Sequence, residues 1–175
     1  MAADKLSTGT LNQKDIASYL DYHLLGSAAG VQLFDAVRQS WAGTPQEAEF
    51  RKLREELSAE RKELKALHRS FGHGRNKLKR VAAMAGAVIS KLNPLNPTRA
   101  SGGVGTQLEL ESLLSALRGK QCMWQILAEL APRDPRLNAL RFQELEAQAV
   151  AQQKRVERMM NTTAAQRFLA APDRD

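Results

Sequence analysis

The chain has 175 residues, with 26 Lys and Arg against 19 Asp and Glu, a formal net charge of +7, a single Cys and 5% aromatic residues. That is one domain's worth of chain, long enough to bury about 70% of its unfolded surface without disulfides or a structural metal. The lone Cys122 excludes an intramolecular disulfide and the first residues lack a secretory pattern, which predicts a cytoplasmic protein, while the longest apolar run, Val81 to Ile89, falls far short of the roughly 20 residues of a membrane-spanning helix.

Residues 1–11 read as a flexible N-terminus. The first helical segment follows Thr10-Leu-Asn-Gln13, a capping pattern in which a Thr oxygen takes an orphan N–H and a residue three further on reaches back. Its seam runs Ile16, Leu20, His23, Ser27, Gly30, Phe34, Val37 and Trp41 in steps of three and four, and Gly43 stops it. The second opens at Thr44-Pro-Gln-Glu47, with Pro45 at the first helical position, where a missing N–H costs nothing. It carries Phe50, Leu53, Leu57, Glu60, Leu64, Leu67 and Phe71, and ends at Gly72. Residues 75–92 form a third helical segment stopped by Asn93-Pro94, and the stretch from Pro94 to Gly105 is a loop. The fourth starts at Thr106-Gln-Leu-Glu109, with Leu110, Leu113, Leu117, Lys120, Trp124 and Leu127 on its seam and Pro132 beyond its end. The fifth, opened by Asp134-Pro135, presents Phe142, Leu145, Ala149, Gln152, Val156 and Met159.

Every segment is apolar on one face only and needs partners. The first two, each roughly 27 residues or 40 Å long, join through a turn of about two or three residues and must fold back as an antiparallel hairpin. The fourth and fifth, linked by Pro132-Arg133-Asp134, form a second hairpin, and residues 73–105 carry the chain across. The expected fold is all-α: a single domain over residues 12–169, a four-helix bundle with a long helical crossover, and a flexible C-terminus at 170–175.

Four polar residues interrupt the seams: His23, Glu60, Lys120 and Gln152. A buried ion must find a partner or change its protonation state. Glu60 and Lys120 are therefore expected to neutralise each other inside the bundle, with His23 and Gln152 as further members of a polar layer that sets helix register. Equal hairpin arms also place His23 opposite the Leu64–His68 region, so that His23 and His68 are expected to approach at one end. Cys122, on an apolar helix, reads as a small buried hydrophobe.

Two hairpins joined by a long crossover resemble the ferritin-like superfamily, in which two helices each give a Glu and two give Glu-x-x-His around a pair of metals. Glu60 stands about where the second helix of that family places its Glu. The motifs are degenerate: Glu63 replaces the His, Lys65 precedes His68, the first segment offers His23, Gln32 and Asp35 without a Glu, and the fifth has Gln148 and Gln152. What the resemblance implies is the topology, and as a rival function an incomplete iron or manganese site, with oxidoreductase chemistry, built from His23, Glu60, His68 and one of Glu109 or Glu111, Glu111 being preferred. The runs from Asp21 to Gly30 and from Gly119 to Trp124 are also similar to a group of uncharacterised bacterial helical-bundle proteins.

Charge is unevenly placed. No acid lies between Glu63 and Glu109, an interval holding Lys65, Arg69, Arg75, Lys77, Lys79, Arg80, Lys91 and Arg99. Arg75, Lys77, Lys79, Arg80 and Lys91 form the expected patch for an acidic protein or anionic surface. Lys77, Lys79 and Arg80 could hold nucleic-acid phosphates nonspecifically, but no interleaved aromatics favour base stacking, so nucleic acid is the weaker partner. The run Ser101-Gly-Gly-Val-Gly-Thr106 reads as a flexible connector, with an anion-binding helix start as the lesser reading. Helix-interior Gly26, Gly30, Gly86 and Gly119 each cost about 0.8–1.0 kcal/mol relative to Ala, which points to close backbone approach. Ala28, Ala29 and Gly30 therefore mark a face for another helix or for a second subunit in a homodimer. The leading functional expectation is a non-catalytic structural or interaction protein needing no cofactor.

Overall fold

The computed structural model describes residues 10–72 and 102–169. Among them all regular structure is helical: α1 (Gln13–Ser40), α2 (Glu47–Ser70), α3 (Gly102–Leu130), a 3-10 turn (Ala131–Arg133), α4 (Ala139–Thr162) and a short α5 (Ala164–Phe168). The expected helix at 75–92 and the patch Arg75, Lys77, Lys79, Arg80 and Lys91 lie outside the described residues. None of the described helices is long and apolar enough to cross a membrane.

The helix starts differ from the capping patterns in instructive ways. Asn12, inside the first pattern, is the residue that caps α1, its side chain accepting from the N–H groups of Lys14 and Asp15; the amide offers an acceptor two residues closer to the helix than Thr10 can. Between α1 and α2 the connection takes residues 41–46 and is longer than the expected turn. It bends at Gly43, whose φ of +77° suits a residue without a Cβ. Thr44 donates to the Trp41 carbonyl instead of capping, and Glu47 reaches back to the Gly43 N–H at 3.0 Å. Asp134 does not cap α4 either, because the backbone N–H and guanidinium of Arg136 occupy it; Asn138 caps α4, accepting from the Arg141 N–H.

Helix α3 begins at Gly102, four residues ahead of the Thr106 pattern, so that Gly102 to Gly105 are helical and not a connector. Tertiary packing explains this. A Cβ at Gly103 would lie 1.9 Å from the Arg167 carbonyl oxygen, so only glycine lets the first turn of α3 run against α5. The glycine there serves contact with protein backbone.

Two apolar clusters fix the helix directions. Ile16, Leu20 and Leu24 from the start of α1 pack with Leu64 and Phe71 from the end of α2, Trp124 and Leu127 from the end of α3, and Phe142 and Leu145 from the start of α4. Phe34 and Val37 from the other end of α1 pack with Phe50 and Leu53 of early α2, Leu110 and Leu113 of early α3, and Val156 and Met159 of late α4. Helix α1 thus runs antiparallel to α2 and α3 and parallel to α4. The chain leaves α2 beside the first cluster and enters α3 beside the second. Arg136 ties the first end together, bonding the Ser70 carbonyl and the Gln13 side chain and lying 3.8 Å over the Phe71 ring.

Candidate functional site

The polar seam residues sit between the two apolar clusters. Lys120 of α3 donates from Nζ to Glu60 Oε2 on α2 and to Gln152 Oε1 on α4. Gln152 returns its Nε2 to Glu60 Oε1 at 2.7 Å and to Glu56 Oε2 at 3.1 Å. Glu60 is 5% exposed and Gln152 2%, so this network lies in the interior. Burial pushes the Lys120 ammonium down from its ordinary value, and the Glu60 charge opposes that shift. Both Glu60 oxygens accept a hydrogen bond, which removes the penalty of an unmatched buried carboxylate.

Beside this layer runs a stripe of ion pairs between α2 and α4 that seam analysis missed. Arg155 bonds Glu49 and Glu56, while Arg141 holds Glu63 through 2.9 and 2.6 Å contacts. The signal was present: positions 49, 56, 60 and 63 recur at helical spacing on one face of α2, flanking the leucines.

The candidate metal ligands do not converge. His68 does not meet His23; its Nε2 lies 2.5 Å from Oδ1 of Asp21, an acid 6% exposed that the sequence reading passed over. The hint was Asp21's place with Ala17 and Leu24 on the buried face of α1. His23 is half-buried and packs edge to face on Tyr19, ring centroids 4.6 Å apart, and burial lowers its pKa, keeping the ring neutral at pH 7. It does not enter the Glu60–Lys120–Gln152 network. Glu111 is exposed and accepts from Gln107 Nε2 at 2.8 Å; two residues along the helix from buried Glu109, it points away from the interior. Among the described residues no three His, Cys, Asp or Glu side chains are grouped to hold a metal ion. The structure does not bring the expected set of His23, Glu60, His68 and Glu111 together: Glu60, His68 and Glu111 are each bonded to a different neighbour. Cys122 is half-buried.

Beside the polar layer a cleft of about 320 Å³ lies between α1 and α3, floored by α2. Phe34, Leu57, Leu64, Leu117, Met123 and Trp124 make its apolar walls, Glu60 and Lys120 reach it from the layer, and His23 and Arg61 add two more polar groups. Gly26 and Gly30 of α1 and Gly119 of α3 line it, and a Cβ at any of the three would meet nothing within 4 Å among the described residues. These glycines therefore hold space open and make no close backbone contact among the described residues. The reason is geometric: α1 packs extensively on its hairpin partner α2 and α3 on α4, while the α1–α3 seam is the looser one.

Comparison of the chain with family models, with curated proteins and with solved structures finds no match.

Proposed function

We propose that this chain is a non-catalytic structural or interaction protein of the cytoplasm: a four-helix bundle of ferritin-like helix order that offers the basic segment with Arg75, Lys77, Lys79, Arg80 and Lys91 to an acidic partner. The observation that carries the non-catalytic reading is the network of Glu60, Lys120 and Gln152, whose members bond one another across α2, α3 and α4. Such a layer discriminates between helix registers, since a shift of α3 would carry Lys120 away from Glu60 and leave the buried carboxylate unmatched. The ferritin-like order is supported by the antiparallel setting of α1 against both α2 and α3, as two hairpins joined by a long connection require. The acidic-partner reading is supported by the acid-free interval between Glu63 and Glu109.

The test is binding of poly-L-glutamate by the full chain at low and moderate salt. Wild type is expected to bind at about 50 mM salt and to lose most of that affinity by about 200 mM, as screening of exposed charge dictates. A variant with Arg75, Lys77, Lys79, Arg80 and Lys91 all changed to Gln should lose binding while keeping its helix content. Binding that ignores salt or survives the five changes overturns the reading, and preference for duplex DNA over polyglutamate replaces it with a nucleic-acid role.

A further inference from the structure

The α1–α3 cleft combines features that a packing defect need not have. Its volume of about 320 Å³ lies within the range of small-molecule sites, which are mostly apolar with a few placed polar groups. It is kept open by Gly26, Gly30 and Gly119 at helix-interior positions, where alanine would be the better helix former and would fit without contact. Its acid is already spoken for: Glu60 is neutralised by Lys120 and accepts from Gln152. Arg61, by contrast, brings a guanidinium whose buried Nε has no hydrogen-bond partner among the described residues. A permanent cation with an unmet buried donor, beside a neutral imidazole and walls of Leu, Phe, Met and Trp, is complementary to one ligand chemistry: an apolar body ending in an anionic head.

We propose that this cleft binds a small amphiphilic carboxylate, of the medium-chain fatty acid class, with its chain against Leu57, Leu64 and Trp124 and its carboxylate on Arg61. The ligand's carboxylate would supply an acceptor to the Arg61 guanidinium, whose Nε lacks one, and its chain would cover apolar wall now facing the cleft. Lys120 stays with Glu60, so the site carries a net positive charge from Arg61 alone. This proposal is independent of the acidic-partner reading, which rests on residues outside the cleft.

The experiment is calorimetric titration of the full chain with decanoate, with decanol as the uncharged analogue and acetate as the head group alone. Wild type should take up one decanoate per chain, bind decanol at least about tenfold more weakly and ignore acetate, a tenfold difference being about 1.4 kcal/mol. Arg61→Gln should bring decanoate down to the level of decanol without changing decanol. Gly119→Leu, which fills the cleft from a position with free space around it, should abolish both; Gly30→Leu is the second filling variant should Gly119→Leu lose helix content. Failure of the full chain to bind decanoate overturns the proposal. So does binding that neither Arg61→Gln nor the filling variants affect, and so does a chain dimer that Gly119→Leu dissociates without any decanoate uptake in wild type, which would make a second copy the occupant.

Discussion

Removing one partner of the buried pair should cost far more than a surface ion pair is worth. The Glu60 side chain is 6% exposed and that of Lys120 14%, so both charges have left bulk water. Exposed pairs contribute about 0–1 kcal/mol, whereas breaking a buried one leaves an uncompensated charge and costs about 3–5 kcal/mol. Gln152 can still hydrogen-bond whichever charge remains, which places the expected loss near the low end, about 3 kcal/mol for Glu60→Gln and about the same for Lys120→Met. In a domain of this size that lowers the thermal midpoint by roughly 6–12 °C. The double variant removes both charges and should cost no more than either single, so that it falls short of the summed singles by about 3 kcal/mol, a coupling at the upper end for contacting residues. Urea unfolding followed by circular dichroism measures all four proteins. Single variants within about 0.5 kcal/mol of wild type, or a strictly additive double, would refute the view that Glu60 and Lys120 are paired away from water.

The glycines divide into two kinds with opposite expectations. Gly26→Ala and Gly119→Ala each place a methyl group in free space and should raise stability by about 0.8–1.0 kcal/mol, seen as a higher thermal midpoint, whereas Gly103→Ala must displace the Arg167 carbonyl from α3 and should lower it. A loss at Gly26 or Gly119 would mean that the cleft is filled in solution. His23 predicts a pH effect whose sign follows from burial. Its folded pKa lies below the ordinary 6.5, so the unfolded state binds more protons, and stability falls as pH drops from about 6.5 toward the folded value. Replacing it by Gln should make the midpoint less sensitive to pH between about 7 and 5; equal slopes in wild type and His23→Gln would show that the ring protonates without hindrance.

Much of the helical framework can be read from residue spacing. Steps of three and four place Ile16, Leu20, Phe34 and Val37 on one face of α1, and all four are buried. The polar interruptions could be read in the same way, since Glu60, Lys120 and Gln152 each occupy a seam position and a buried charge needs an opposite one. Helix starts were less legible. Thr10, Thr44, Thr106 and Asp134 all match a capping pattern, yet Asn12 and Asn138 are the side chains that cap, because several neighbouring residues can satisfy the same orphan N–H groups and local sequence does not rank them. The histidines were misplaced for a different reason. Equal hairpin arms set the height of His23 and His68 but not the rotation of each helix about its axis, and that rotation gives His68 to Asp21 and His23 to Tyr19 and the cleft wall.

By itself, then, the sequence determined the helical periodicity, the one-faced character of each helix and the need for Glu60 and Lys120 to meet. Only the tertiary structure decided which faces oppose one another. Glycine shows the difference most plainly: Gly103 and Gly119 are the same residue in the same helix, but one lies against the Arg167 backbone and the other borders open space. A missing Cβ permits close approach and leaves a void equally well, and the distance to the neighbouring helix, which no local pattern encodes, settles which of the two it does.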